Sequence, residues 1–166
     1  MTRAGKASGA ASARSSLRVE VQRRVRSRVP RTGDIVLWAS GALGRRASGA
    51  ELGVRLVGPA ESRRLNARYR GKDKPTNVLS FPARLPAALT PGPTPLGDLV
   101  ICAQVVRAEA HAQRKELRAH WAHLVVHGAL HLIGYEHEHI RDARRMERRE
   151  IAVLRRLGFA NPYLSR

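Results

Sequence analysis

The chain has one cysteine, Cys102, so no disulfide can form within it, which fits a reducing compartment. No apolar run approaches the roughly 18 residues a membrane span needs, and no signal peptide is apparent. No membrane partner is therefore expected, and a cytoplasmic location is. Acids are scarce: 13 Asp+Glu stand against 31 Lys+Arg, a net charge of +18. Lysine is scarce too, with only Lys6, Lys72, Lys74 and Lys115, so the positive charge is almost entirely arginine. A chain this basic attracts polyanions, and a nucleic-acid partner is the first expectation. Its 166 residues make about one domain, long enough to bury roughly two thirds of the unfolded surface without a staple.

Residues 1–16 hold no acid and no large apolar residue before Leu17, and a disordered basic tail is expected there. Order should begin at Leu17, where Leu17, Val19 and Val21 alternate with polar residues as in a half-buried strand. A helix is expected from Asp34 to about Leu43, then a loop over 44–49. Leu52, Val54 and Leu56 mark a second strand over 51–57. Pro59 suits the first turn of a helix that runs to Tyr69. A short strand over 78–81 ends at Pro82. Residues 83–96, with Pro86, Pro91, Pro93 and Pro95, read as a surface connection. A fourth strand follows over 99–102, and helices over 105–113, 116–133 and 141–157, with Gly158 as the last stop. The expected fold is a single α/β domain over 17–166: a small, mainly parallel four-stranded sheet packed with about five helices.

Three histidines, His127, His131 and His137, carry the chemistry. The first two are one helical turn apart and share a face. Gly134, three residues past the second, can end the helix in a left-handed turn and bring His137 back towards them. Three nitrogen ligands with an open fourth position are the layout of a catalytic zinc site. His123 lies on the same stripe, but eight residues of helix span about 12 Å, so His123, His127 and His131 cannot share one ion. His123 is then a partly buried or outer group. His139 competes with His137 for the third place.

The same spacing occurs in a class of zinc peptidases, which carry glutamate after the first histidine as the general base. Here that position is Gly128, and no methionine turn is evident, Met146 lying within a helical pattern. Phosphodiester chemistry tolerates the loss better, because the ion supplies hydroxide and a cation can stabilise the developing charge. The second dense stretch runs from Asn66 to Pro82 and places Arg68, Arg70, Lys72 and Lys74 within seven residues, with arginine forks suited to phosphate. Asp98 could orient a loop or a ligand, but a buried structural acid at a strand start is the preferred reading.

Three segments, Leu65–Pro82, Leu96–Ile101 and His127–His137, together with the ending Leu157–Tyr163, resemble the YbeY family of endoribonucleases, rRNA maturation factors. The resemblance covers about residues 17–163. It implies one zinc ion on His127, His131 and His137, and a functional arginine at Arg70. It implies single-strand-specific RNA cleavage in 16S rRNA 3′-end maturation and in ribosome quality control, with ribosomal RNA and the small subunit as partners. Glu136 stands where the family usually has aspartate; it is a candidate base, as is the substrate's own 2′-hydroxyl chemistry. Arg68, Lys72 and Lys74, with Arg63 and Arg64, would track the RNA backbone. Two rival readings stand beside this one: a metallopeptidase-like hydrolase, and a non-catalytic ribosome-assembly factor with structural zinc.

Overall fold

The computed structural model describes residues 16–84 and 91–164. The basic tail therefore lies outside the described residues but for Ser16, as does the centre of the proline-rich connection. The elements run β1 (Arg18–Arg23), α1 (Thr32–Leu43), a 3-10 turn (Gly44–Ala47), β2 (Ala50–Val57), α2 (Pro59–Arg70), β3 (Val78–Pro82), β4 (Thr94–Cys102), α3 (Ala103–Ala112), α4 (Leu117–Leu132) and α5 (Ile140–Arg156). The sheet order is β1-β2-β4-β3. β1 and β4 both pair parallel to β2, and β3 pairs antiparallel to β4. The sheet is thus mixed, with the parallel pairs in the majority.

Alternation along the strands sorts side chains into two layers. Leu52, Val54, Leu56, Val78, Leu99 and Ile101 face the main core, shared with buried residues of α1, α4 and α5. Val57, Leu79, Val100 and Cys102 face the other way, where Leu65 of α2 packs on them. α4 is the hub: it touches β3, β4, α1, α3 and α5. A helix buried on most sides needs apolar residues around most of its circumference, and α4 buries ten of its sixteen residues. Its histidine edge is where the burial relaxes.

β4 departs from the sequence expectation. It begins at Thr94, not Leu99, so the last part of the supposed connection is strand. Prolines obscured it. Pro95 pairs with Glu51, and a register shift falls between Glu51 and Leu52. Gly97 absorbs the irregularity at φ +126°; a Cβ there would sit 2.1 Å from the Phe81 carbonyl oxygen. Only glycine allows that approach at that dihedral. The 44–49 loop likewise contains a turn of 3-10 helix. Among the described residues no helix is long and apolar enough to cross a membrane.

Candidate metal centre and its surroundings

α4 ends at Leu132 because Gly134 takes φ +96°. The Gly134 N–H donates to the His131 carbonyl and the Tyr135 N–H to the Leu130 carbonyl, both at 3.1 Å. That closing turn satisfies carbonyls the helix would leave orphaned. The chain then reverses, and His137 comes back over the end of α4. Ring centroids are 4.7 Å apart for His127 and His131, 4.8 Å for His131 and His137, and 5.7 Å for His127 and His137. One nitrogen from each of the three rings lies within 4.8 Å of the other two. His139, the competitor, instead stands at the residue before α5, without a side-chain capping bond, and is exposed.

The donor set fits a zinc ion. The Nε2 atoms of His127 and His131 are 3.2 Å apart. Two nitrogens bound at about 2.1 Å to one tetrahedral ion would be about 3.4 Å apart. The other nitrogen of His127, Nδ1, hydrogen-bonds the Glu150 carboxylate. A neutral ring that donates from Nδ1 has a bare lone pair at Nε2, directed at the second imidazole. Two such lone pairs facing each other repel unless a cation or a proton lies between them. Among the described residues no fourth histidine, cysteine or acid joins this triad, which favours an open site over a closed structural one.

Glu150 was not anticipated from the sequence. It lies on α5, fully buried, and accepts hydrogen bonds from His127 Nδ1, from His123 Nε2 at 3.2 Å and from the Tyr163 hydroxyl. Burial pushes its carboxyl pKa up, but the bonds from His123, His127 and Tyr163 together outweigh this and hold it at about 2. Burial and the same contact raise the Tyr163 hydroxyl above its ordinary 10. His123 is thus an outer group that shares the carboxylate. A signal for Glu150 existed: it stands in the apolar stripe of Met146, Val153 and Leu154, where a lone acid needs partners. His120 belongs to a separate buried network. Its Nε2 contacts Glu109 at 2.8 Å, and Glu109 also accepts from Asn77 at the start of β3.

Burial, then the neighbouring His127 and His137, and also the charge of Arg70, lower the His131 pKa from its ordinary 6.5 to about 4, against a hydrogen bond with the Tyr135 backbone. The ring is therefore neutral and ready to ligate near neutral pH. In metal-free protein the unfolded chain takes up this proton first. Between about 6.5 and about 4 the unfolded state binds more protons than the folded one. Stability is thus full above that window and falls as the pH drops through it. Urea midpoints recorded with a chelator at pH 7.5, 6, 5 and 4 should decline; a flat series would contradict this environment for His131.

The basic segment is a built loop. Gly71 ends α2 in the left-handed region at φ +69°. Asn66 Nδ2 donates to the Lys74 carbonyl at 2.7 Å, and the Ser62 hydroxyl bridges both backbone groups of Thr76, at 2.8 and 2.9 Å. Arg63 grips Asp73 with both ends of its fork, at 2.7 and 2.8 Å. That arginine holds the loop closed, while Arg68, Arg70, Lys72 and Lys74 are exposed. Arg70 is near enough for its charge to act on His131. Arg68 lies 5.4 Å over the Tyr69 ring. Glu136 has a side chain 61% exposed, with Oε2 3.8 Å from His131 Nδ1. It therefore stands on the side of that ring away from His127. Asp98, expected to be buried at a strand start, is instead exposed and lies inside β4, where it packs over Gly53 of the neighbouring strand; a Cβ there would collide with it at 2.0 Å.

Gly128, where the peptidases carry their base, faces the sheet. A Cβ there would sit 2.9 Å from Leu99 Cδ2 and 3.2 Å from Val78 Cγ2. A glutamate would be driven into the core, so α4 cannot offer a base at that position without giving up its contact with β3 and β4.

A single α/β domain with three imidazoles gathered at the end of its central helix defines the class: a protein able to hold one metal ion beside a rigid, cationic loop. Residues 20–158 match the family model described as Endoribonuclease YbeY, and the chain belongs to that family. The family is one of nucleases with a role in rRNA maturation. The fold is also similar to that of TM1509 from Thermotoga maritima, known from a solution structure. The TM-score is 0.52 at 20% identity, over 89% of this chain and 99% of the other.

Proposed function

We propose that the protein is a zinc-dependent, single-strand-specific endoribonuclease that acts in the cytoplasm on 16S rRNA, in 3′-end maturation and ribosome quality control. The observation that carries this reading is the convergence of His127, His131 and His137 to within one ion's reach, in a member of a ribonuclease family. When bound, zinc lowers the pKa of a coordinated water and polarises a phosphoryl oxygen. His127 and His131 present their Nε2 atoms, with Glu150 fixing the His127 tautomer. Arg70 stabilises the negative charge that builds on the phosphate oxygens. Glu136, on an exposed side chain that can swing to the open face, accepts the proton. Arg68 at the end of α2, with Lys72 and Lys74 on the pinned loop that follows, holds backbone phosphates. Such contacts position a strand without reading its sequence.

Arg70→Ala should keep one zinc per chain and lose about a hundredfold in cleavage of a single-stranded RNA, the order found when one charge-stabilising donor is removed. The exposed position of Arg70 means that folding should not suffer. Undiminished cleavage would take Arg70 out of the mechanism. Loss of zinc with cleavage would make it a structural support instead.

A further inference from the structure

Beside the histidine loop, on the far side of the α4 end, lies a cleft of about 480 Å³. Arginines from two distant segments converge on it: Arg45 and Arg46 from the turn after α1, and Arg145 and Arg149 from α5. Glu136 and Asp142 also line it, so cations outnumber acids by four to two. Elsewhere Arg18, Arg55, Arg63 and Arg118 each have a carboxylate partner. None of the four cleft arginines lies within 4.0 Å of a carboxylate oxygen among the described residues, despite two acids in the same cleft. Arg149 Nε is buried and has no hydrogen-bond partner. Arg46 donates once, to the Ile133 carbonyl at 3.1 Å. Arg145 lies 5.2 Å over the Tyr135 ring. Most of the donors these four guanidinium groups carry are thus uncommitted.

We infer that this cleft is a second phosphate-binding subsite for single-stranded RNA, taking a backbone phosphate that flanks the one at the histidine triad. The inference rests on the ribonuclease reading above. Its chemistry follows from the donors: guanidinium forks match the oxygens of a phosphodiester, and a buried N–H without an acceptor is satisfied by one. Its place follows from Glu136. That residue lines the cleft and reaches within 3.8 Å of His131 Nδ1. The cleft therefore lies next to the triad, on the Nδ1 side of the His131 ring. A strand crossing the triad can lay one phosphate at the open face and a neighbouring one among the arginines. Ile133 to Glu136 line the cleft and lead directly into His137, so RNA bound at both sites meets the segment that carries that histidine.

The test uses the zinc-loaded full chain and a single-stranded oligoribonucleotide made uncleavable by 2′-O-methyl groups, with anisotropy titrations at several salt concentrations. Arg45→Gln with Arg145→Gln, both exposed, should weaken binding about tenfold at moderate salt. The log–log salt slope should flatten by about 0.7, the amount for the one single-strand phosphate that is no longer neutralised. Zinc content should not change. Arg149→Gln should flatten it by about half as much. Arg144→Gln with Arg148→Gln removes the same charge from exposed positions of α5 outside the cleft, and should shift the slope far less. Equal slopes for the two double variants, or an unchanged slope in the cleft variant, would overturn the subsite while leaving the nuclease intact. A native chain that neither binds nor cuts RNA would remove the ribonuclease reading, and the subsite with it.

Discussion

A chain carrying His131→Ala is expected to purify without its metal ion and to leave single-stranded RNA uncut. Three imidazoles are the whole donor set of the triad among the described residues. Removing the middle one leaves His127 and His137, whose ring centroids are 5.7 Å apart. Two neutral nitrogens are a poor hold for a divalent ion. The loss of affinity should exceed the roughly 10–100-fold typical when only an outer partner of a ligand is removed. Folding should survive, because alanine is the best helix former and His131 lies in the last turn of α4. Elemental analysis gives zinc per chain, and a gel assay on a labelled single strand gives cleavage. His139→Ala is the control: that residue precedes α5 outside the triad and its side chain makes no capping bond, so the variant should keep both metal and activity. One zinc per chain in His131→Ala would mean that the three rings do not share an ion.

The triad was legible because its determinants are local. Helical spacing puts His127 and His131 on one face, and a glycine at position 134 licenses the reversal that returns His137. Strand alternation was legible for the same reason, as in Leu52, Val54 and Leu56. What the sequence concealed depends on contacts between distant segments. Thr94 and Pro95 read as loop because proline removes a ladder donor. They are strand because Ala50 and Glu51 of β2 pair with them and Gly97 takes up the mismatch. The Arg63–Asp73 fork and the cleft arginines also look, in the sequence, like undifferentiated positive charge. Folding divides them: some cations close a loop, others remain uncommitted near the triad.

Gly128 illustrates the same division on one helix. From the sequence it is a missing base, which weakens a peptidase reading. In the fold it is a required absence, because the helix lies against Leu99 and Val78 at that point. The neighbouring residue, His127, turns away from the sheet and towards Glu150. Close packing and ligand presentation thus alternate along α4. The helix fixes the histidines rigidly because its other sides are committed to the core.

That commitment extends to Glu150, whose removal should have the second largest effect. Its carboxylate is fully buried and ionised because three donors, on His123, His127 and Tyr163, converge on it. Glu150→Ala leaves the His123 and His127 donors without their acceptor, at about 1–3 kcal/mol each where water cannot enter, while the more exposed Tyr163 can turn to solvent. The melting temperature should drop by several degrees or more. Glu150→Gln separates this cost from the effect on the metal. The amide keeps the shape and one acceptor oxygen, but it carries no charge, and its NH2 group cannot accept from a histidine or from Tyr163. The His127 ring then loses either its anionic partner or its fixed tautomer, and Nε2 becomes a weaker donor to the ion. Zinc affinity, read by competition with a chromophoric chelator, should fall about 10–100-fold. Tyr163→Phe removes one donor and leaves the His127–Glu150 contact in place, so it should cost stability with little change in zinc affinity. If Glu150→Gln bound zinc as tightly as the native chain, the carboxylate would serve the fold alone. If Tyr163→Phe weakened zinc as much as Glu150→Gln, the three donors would act on the ion as one unit through the shared carboxylate.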